Sequence, residues 1–103
     1  MRSYYVYILK CSDDSYYTGI TGNLESRMIA HQEGAFSRCY TKSRRPITLV
    51  YALEFEDVGG AIAFEKQVKG WTRKKKEALI NDDLELLREL AKSYSHSRST
   101  KSQ

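Results

Sequence analysis

The chain has 103 residues, 41% apolar and 29% charged, with 17 Lys and Arg against 13 Asp and Glu and a net charge of +4. One domain of this size buries a core without staples, and no apolar run approaches the ~18 residues that a membrane span needs. Cys11 and Cys39 are too few for a disulfide framework and belong to no C-x-x-C or Cys/His cluster, so they read as free thiols outside any structural zinc site. Met1-Arg2-Ser3 leads straight into a strand pattern with no secretory or transit segment, which places the protein in the cytosol.

Five of the eight tyrosines fall between Tyr4 and Tyr17, more than packing a sheet requires. Tyr4 to Lys10 and Tyr16 to Ile20 read as two strands joined near Ser12-Asp13-Asp14. Side chains alternate along a strand, so Tyr7 and Tyr17 share a face only if the loop is odd. Cys11 would then lie opposite Ser15, with Asp14 in the left-handed region. A two-residue turn would part them. Thr21-Gly22 breaks the strand, Asn23 is an N-cap, and a helix runs from Leu24 to Glu33, stopped by Gly34. Leu24 and Met28 form its buried stripe; Arg27 and His31, one turn apart, lie at its sheet-facing edge.

Ala35 to Pro46 is a polar, basic loop carrying Tyr40, Thr41, Arg44 and Arg45. The strand after Pro46 sets Ile47, Leu49, Tyr51, Leu53 and Phe55 on one side. Asp57 to Gly60 reads as a turn. A helix from Gly60 to Lys69 follows, with Ala61, Phe64, Val68 and Trp71 on its apolar side and Glu65 at the border. Thr72 caps a third helix, Arg73 to Asn81. Leu84, Leu87, Leu90 and Ala91 mark a last one, whose acidic start suits the helix dipole. Residues 1–92 read as one domain, and 93–103 as a polar, disordered tail. Basic residues cluster at Arg38 to Arg45 and at Lys66 to Lys76, while acids gather at Asp82, Asp83, Glu85 and Glu89. That segregation suits a cationic face for a polyanion.

The order Tyr-x-Tyr, turn, Tyr-Thr-Gly, helix with Arg and His, basic loop, strand, helix with Glu resembles the GIY-YIG nuclease superfamily. Its small, stand-alone, URI-like bacterial members are the nearest in pattern. The likeness runs through Tyr5-Val6-Tyr7-Ile8-Leu9, Tyr17-Thr18-Gly19-Ile20-Thr21 and Asn23-Leu24-Glu25-Ser26-Arg27 to His31. It resumes at Tyr40-Thr41, Arg44-Arg45-Pro46, Leu49-Val50-Tyr51, Glu65 and Lys69. Tyr5 replaces the first glycine of the name and Thr18 the isoleucine of the second motif; a late polar residue of some members has no clear place at Glu77 or Asn81. The resemblance implies an α+β fold with a small three-stranded antiparallel sheet flanked by helices, ordered β-β-α-β-α-α plus a C-terminal helix.

It also implies a catalytic set of Tyr7, Tyr17, Arg27, His31 and Glu65, with Glu65 as the metal ligand and Mg²⁺ or another divalent cation as cofactor. Mg²⁺ takes few protein carboxylates, so a lone glutamate can anchor it. Arg27 would supply fixed charge to phosphate. Tyr7 would act as base, with a pKa lowered by Arg27 or the ion, Tyr17 would orient, and His31 would assist proton transfer. Lys10, Arg38, Tyr40, Lys42, Arg44, Arg45, Lys69 and Arg73 would form the nucleic-acid face. The expected activity is structure-directed endonucleolytic cleavage of DNA in repair or recombination.

Taken singly, each residue has an ordinary reading: strand tyrosines, a packing histidine, and an i,i+4 pair of Glu65 with Lys69 worth about 0.3–0.5 kcal/mol. The alternatives to an enzyme are a non-catalytic nucleic-acid-binding module on the same fold and a protein-interaction domain using the helix from Leu84 to Ala91.

Overall fold

A computed structural model describes residues 3–35 and 39–91. Its centre is β1 (Tyr4–Lys10), paired antiparallel on one side with β2 (Tyr16–Thr21) and on the other with β3 (Thr48–Phe55), in the order β2-β1-β3. Val6, Tyr7, Ile8 and Leu9 are fully buried in succession, so this central strand is covered on both faces. The hairpin has the odd loop that the two tyrosines require. Cys11 N–H donates to the Ser15 carbonyl at 2.8 Å, and Asp14 takes the left-handed conformation at φ 67°. The register pairs Tyr7 with Gly19 and Leu9 with Tyr17, which puts Tyr7 and Tyr17 on one face. β2 runs one residue further than the sequence pattern indicates, to Thr21.

β3 corrects a simpler expectation. Its alternating residues read from sequence as one face, but Ile8 pairs with Tyr51 and Leu9 with Leu49, leaving Val50 as a bulge. One extra residue reverses the alternation. Ile47 and Leu49 therefore belong with Leu9, whereas Tyr51, Leu53 and Phe55 belong with Ile8, Val6 and Tyr4. Ile47 joins Tyr7, Leu9 and Cys11 in the core cluster, against which Tyr17, Leu24 and Met28 pack. Leu49 and Leu53 stay exposed because β3 is an edge strand.

α1 spans Leu24–Glu33; Asn23 Oδ1 accepts from Ser26 N–H at 3.0 Å, and Gly34 closes the helix at φ 69°. The following loop contains a short 3₁₀ turn, Lys42–Arg44. α2 spans Val58–Lys69 and starts two residues before the expected Gly60, because Asp57 is its N-cap and Asp57 Oδ2 accepts from Gly60 N–H at 2.9 Å. It contacts all three strands and buries Ala61, Glu65 and Val68. Its Phe64 ring lies 5.6 Å from Phe55.

The described residues form two compact units divided after Gly70. In the second unit, α3 (Arg73–Ile80) is capped by Thr72 and buries Ala78 and Leu79. A fourth helix, α4, covers residues 84–91, with Asp83 Oδ1 accepting from Leu86 N–H. Trp71, expected on the apolar side of α2, falls beyond that helix and carries Lys75 Nζ at 4.5 Å over its ring. The tail expected at 93–103 lies outside the described residues. The order β-β-α-β-α-α-α is an α+β fold, and none of its described helices is long and apolar enough to cross a membrane.

Candidate active site

Tyr7 is the pivot. A Cβ built on Gly19 would meet Tyr7 Oη at 2.5 Å and Cζ at 2.6 Å, so the phenol lies directly across the glycine of its paired strand. Only a residue without a side chain leaves that path open. At the end of the path, Tyr7 Oη lies 2.9 Å from His31 Nε2, and Arg27 contributes a side-chain hydrogen bond and its charge to the same hydroxyl. The expected placement of Arg27 and His31 at the sheet-facing edge of α1 accounts for both contacts.

Behind the pair stands Thr41, 1% exposed, with Oγ1 2.9 Å from His31 Nδ1. With Thr41 Oγ1 donating its single proton to Cys39 Sγ at 3.4 Å, Nδ1–H is left to donate to Thr41. Nε2 is then the acceptor, and Tyr7 O–H the donor. The hydroxyl of Tyr17 bonds Cys39 as well. Burial pushes the Cys39 thiol up, but hydroxyl and backbone donors from Thr41, Tyr17 and Tyr40 outweigh it and hold the thiol below its usual value. Burial and the Arg27 charge both push His31 down, which favours the neutral ring that can accept a proton.

The tyrosines depart from expectation. Burial pushes Tyr7 up to about 12, against the lowering charge and hydrogen bond of Arg27. Tyr17 is also raised, first by burial and then by its bond to Cys39. Desolvation of a phenolate outweighs one guanidinium here. The ring centroids of Tyr7 and Tyr17 are 6.4 Å apart, and that of His31 lies 5.3 Å from Tyr17.

Glu65 joins the cluster by charge: its carboxylate acts on the Tyr7 hydroxyl. It is 8% exposed and ion-paired with Lys69 at 2.7 Å. Among the described residues no group of three or more His, Cys, Asp or Glu could hold a metal ion. The donor set is thus one largely buried carboxylate, which suits Mg²⁺, an ion that keeps most of its waters.

Most of the expected nucleic-acid residues are already engaged. Lys10 pairs with Asp14 at 3.5 Å. Arg44 pairs with Asp13 at 3.0 Å, bonds the Tyr40 carbonyl at 2.9 Å and lies 3.7 Å over the Tyr40 ring. Arg45 donates to the carbonyls of Lys42 and Gln32 and fills the space beside Gly34, so it braces the loop. Arg73 lies in the second unit, paired with Glu77 at 3.1 Å. Lys42 and Tyr40 are exposed, and Arg38 lies outside the described residues.

Residues 3–78 match the model of the GIY-YIG catalytic domain. The chain belongs to the GIY-YIG family. This is a family of nucleases, and relatives of similar size are alike along nearly their whole length. A UPF0213 protein of Syntrophus aciditrophicus is 42% identical over 85 residues, covering 82% of this chain and 98% of that protein. One from Staphylococcus haemolyticus is 42% identical over 82 residues, covering 80% and 99%. The solution NMR structure of the UPF0213 protein BH0048 from Bacillus halodurans is 39% identical, covers 77% of this chain and 83% of that one, and has a TM-score of 0.52. The NMR structure of EF2693 from E. faecalis is 34% identical, covers 80% and 86%, and has a TM-score of 0.58.

Within the GIY-YIG pattern, Gly19 is now explained as the floor beneath Tyr7. Thr41 and Cys39 were missed as site residues. Tyr40-Thr41 lies within the residues that resemble the family, but nothing local in the sequence tells that a loop threonine reaches His31, ten residues away.

Proposed function

We propose that residues 1–92 form a cytosolic endonuclease domain that hydrolyses phosphodiester bonds in DNA, with branched repair or recombination intermediates as the natural targets. The buried Tyr7–His31 hydrogen bond, backed by Thr41 on the other ring nitrogen, carries this reading. A phenol pushed up to about 12 is ionised in about one molecule in 10⁵ at neutral pH. It serves as a base only if its own proton leaves as another arrives. His31 Nε2, 2.9 Å away, would take it. The attacking water gives a proton to Tyr7 Oη while the Tyr7 proton passes to Nε2. The water oxygen bonds to phosphorus and the leaving oxygen departs, collecting a proton from solvent.

Arg27, beside the same hydroxyl, neutralises the non-bridging oxygens as charge builds on them. Tyr17 keeps its proton and orients the group at phosphorus. Glu65 would hold Mg²⁺, which supplies Lewis-acid stabilisation of the phosphate and the leaving oxygen. Lys69 is the cation that neutralises this carboxylate now, and it would turn to the phosphates once displaced.

The test is cleavage of branched, single-stranded and duplex DNA in Mg²⁺ and in EDTA, by the native chain and by Tyr7→Phe, Arg27→Ala and Glu65→Gln. Loss of a single group of this kind costs about 10²–10⁴-fold. Full activity in Tyr7→Phe would remove the relay, and full activity in Glu65→Gln the metal site. Salt-dependent binding with no Mg²⁺-dependent product from any substrate would make the domain a binding module instead.

A further inference from the structure

The aromatic groups of the site do not end at Tyr17. Tyr40 stacks on it, with centroids 6.5 Å apart and planes inclined by only 18°, and the Arg44 guanidinium lies 3.7 Å over the Tyr40 ring. A ladder of flat groups therefore runs outward from Tyr17, which meets His31 edge-on, through Tyr40 to Arg44. Its outer end is accessible: Tyr40 is 42% exposed and the Arg44 side chain 35%.

Arg44 looks at first like a phosphate clamp, but its Nε and Nη1 donors are engaged within the protein. Nε is held by Asp13 at 3.0 Å, and Nη1 by the Tyr40 carbonyl at 2.9 Å and Ser43 Oγ at 3.4 Å. These bonds lie around the rim of the guanidinium and fix its plane, while Asp13 offsets part of its charge. What faces a ligand is a flat, preorganised surface whose charge is partly offset. Flat surfaces of this kind, aromatic or guanidinium, accept unpaired nucleobases, whose faces are hidden in a continuous duplex.

We propose that the Tyr40–Arg44 end of this ladder is a stacking subsite for one unpaired base of a DNA strand whose phosphate enters the Tyr7 centre. The inference rests on the nuclease reading and narrows its substrate to DNA with an unpaired nucleotide beside the cut. It also separates two roles within one loop. Lys42, exposed on the same turn, meets phosphates through charge, whereas Arg44, backed by the Tyr40 ring, meets a base through area.

The experiment is fluorescence anisotropy in EDTA, so that no Mg²⁺-dependent cleavage occurs, with a labelled single-stranded oligothymidine and a blunt duplex of equal length across a salt series. Tyr40→Leu removes the ring, Tyr40→Phe keeps it, and Lys42→Ala removes a charge. Loss of one stacked base weakens binding by about 5- to 150-fold. Tyr40→Leu should therefore weaken the single strand by that factor, leave the duplex unchanged and leave the salt slope unchanged. Tyr40→Phe should match the native chain, and Lys42→Ala should lower the slope by about 1 on both ligands.

Equal loss on strand and duplex in Tyr40→Leu, a reduced slope, or no change at all overturns the subsite while leaving the nuclease reading intact. A native chain that binds neither ligand at low salt overturns both.

Discussion

Gly19→Ala is the sharpest single test of the site, because its consequence can be worked from two distances. The added methyl would lie 2.5 Å from Tyr7 Oη and 2.6 Å from Cζ, whereas non-bonded carbon atoms rest near 3.5–4.0 Å. The ring must retreat by roughly 1 Å. It has no free direction: Tyr7 is fully buried, and its hydroxyl is tied to His31 at 2.9 Å. Overpacking of this kind costs about 1–3 kcal/mol, and stranding the buried His31 nitrogen adds about 1–3 kcal/mol. At about 4–8 °C per kcal/mol for a domain of this size, the melting temperature should fall by about 10 °C or more. A 1 Å misplacement of the base should also slow cleavage by about 10²-fold.

A double-mutant cycle separates this mechanism from a general intolerance of alanine in β2. Tyr7→Leu removes the atoms that the methyl meets, so Gly19→Ala should cost much less once Tyr7→Leu is in place, a coupling of about 1 kcal/mol or more by thermal melts. Additive losses, or a Gly19→Ala protein that melts and cleaves like the native chain, would refute the packing of Tyr7 across Gly19.

Three further outcomes follow from the same cluster. Thr41→Val leaves the His31 Nδ1 proton without its acceptor, which should cost about 1–3 kcal/mol and release the tautomer; nitrogen NMR of the ring showing an unaltered tautomer would contradict this. His31 is held below its ordinary 6.5 by burial and by Arg27, so the unfolded chain binds that proton first. Its contribution is then complete above about pH 6.5 and is lost as pH falls through the folded value; denaturation midpoints at pH 7, 6 and 5 should converge on those of His31→Gln, and a constant gap would refute it. Glu65→Gln should melt much as the native chain does in EDTA but lose the gain in melting temperature that Mg²⁺ gives the native chain, and an undiminished gain would move the metal elsewhere.

The hairpin was legible because its constraints are local. The spacing of Tyr7 and Tyr17 demanded an odd loop if both were to face one way, and Asp14 could take the conformation that such a loop needs. Asn23, Gly34 and Thr72 marked helix ends for the same reason, since capping uses atoms two or three residues apart. Longer-range facts left no mark. A bulge at Val50 adds one residue without changing composition, so the alternation of β3 read as one face where the strand serves two. The Gly59-Gly60 pair hid the first turn of α2, which Asp57 starts by capping it. Charge counts could not tell that Arg44 and Arg45 are occupied by Asp13 and by the carbonyls of Lys42 and Gln32. Nor could they tell that Thr41 Oγ1 lies 2.9 Å from the His31 nitrogen that faces away from Tyr7.

The raised tyrosine changes what the cluster must be. A phenolate base would call for an exposed hydroxyl surrounded by cations. Tyr7 instead has one guanidinium, whose effect loses to burial, and a neutral imidazole. Such a site disfavours any standing negative charge on the phenol, but it does not oppose a concerted exchange in which Tyr7 is never ionised. The cost of charge then falls on His31, and an imidazolium beside Arg27 is itself disfavoured. That state is strained, and it becomes acceptable when an anionic phosphate lies between the two cations. The proposed relay would thereby be tied to occupancy: the proton would move readily only with the phosphate in place. Arg27→Gln would loosen that tie. It should raise His31 toward its ordinary value in the free protein while lowering the cleavage rate. A His31 titration by NMR that does not rise on this substitution would break the argument.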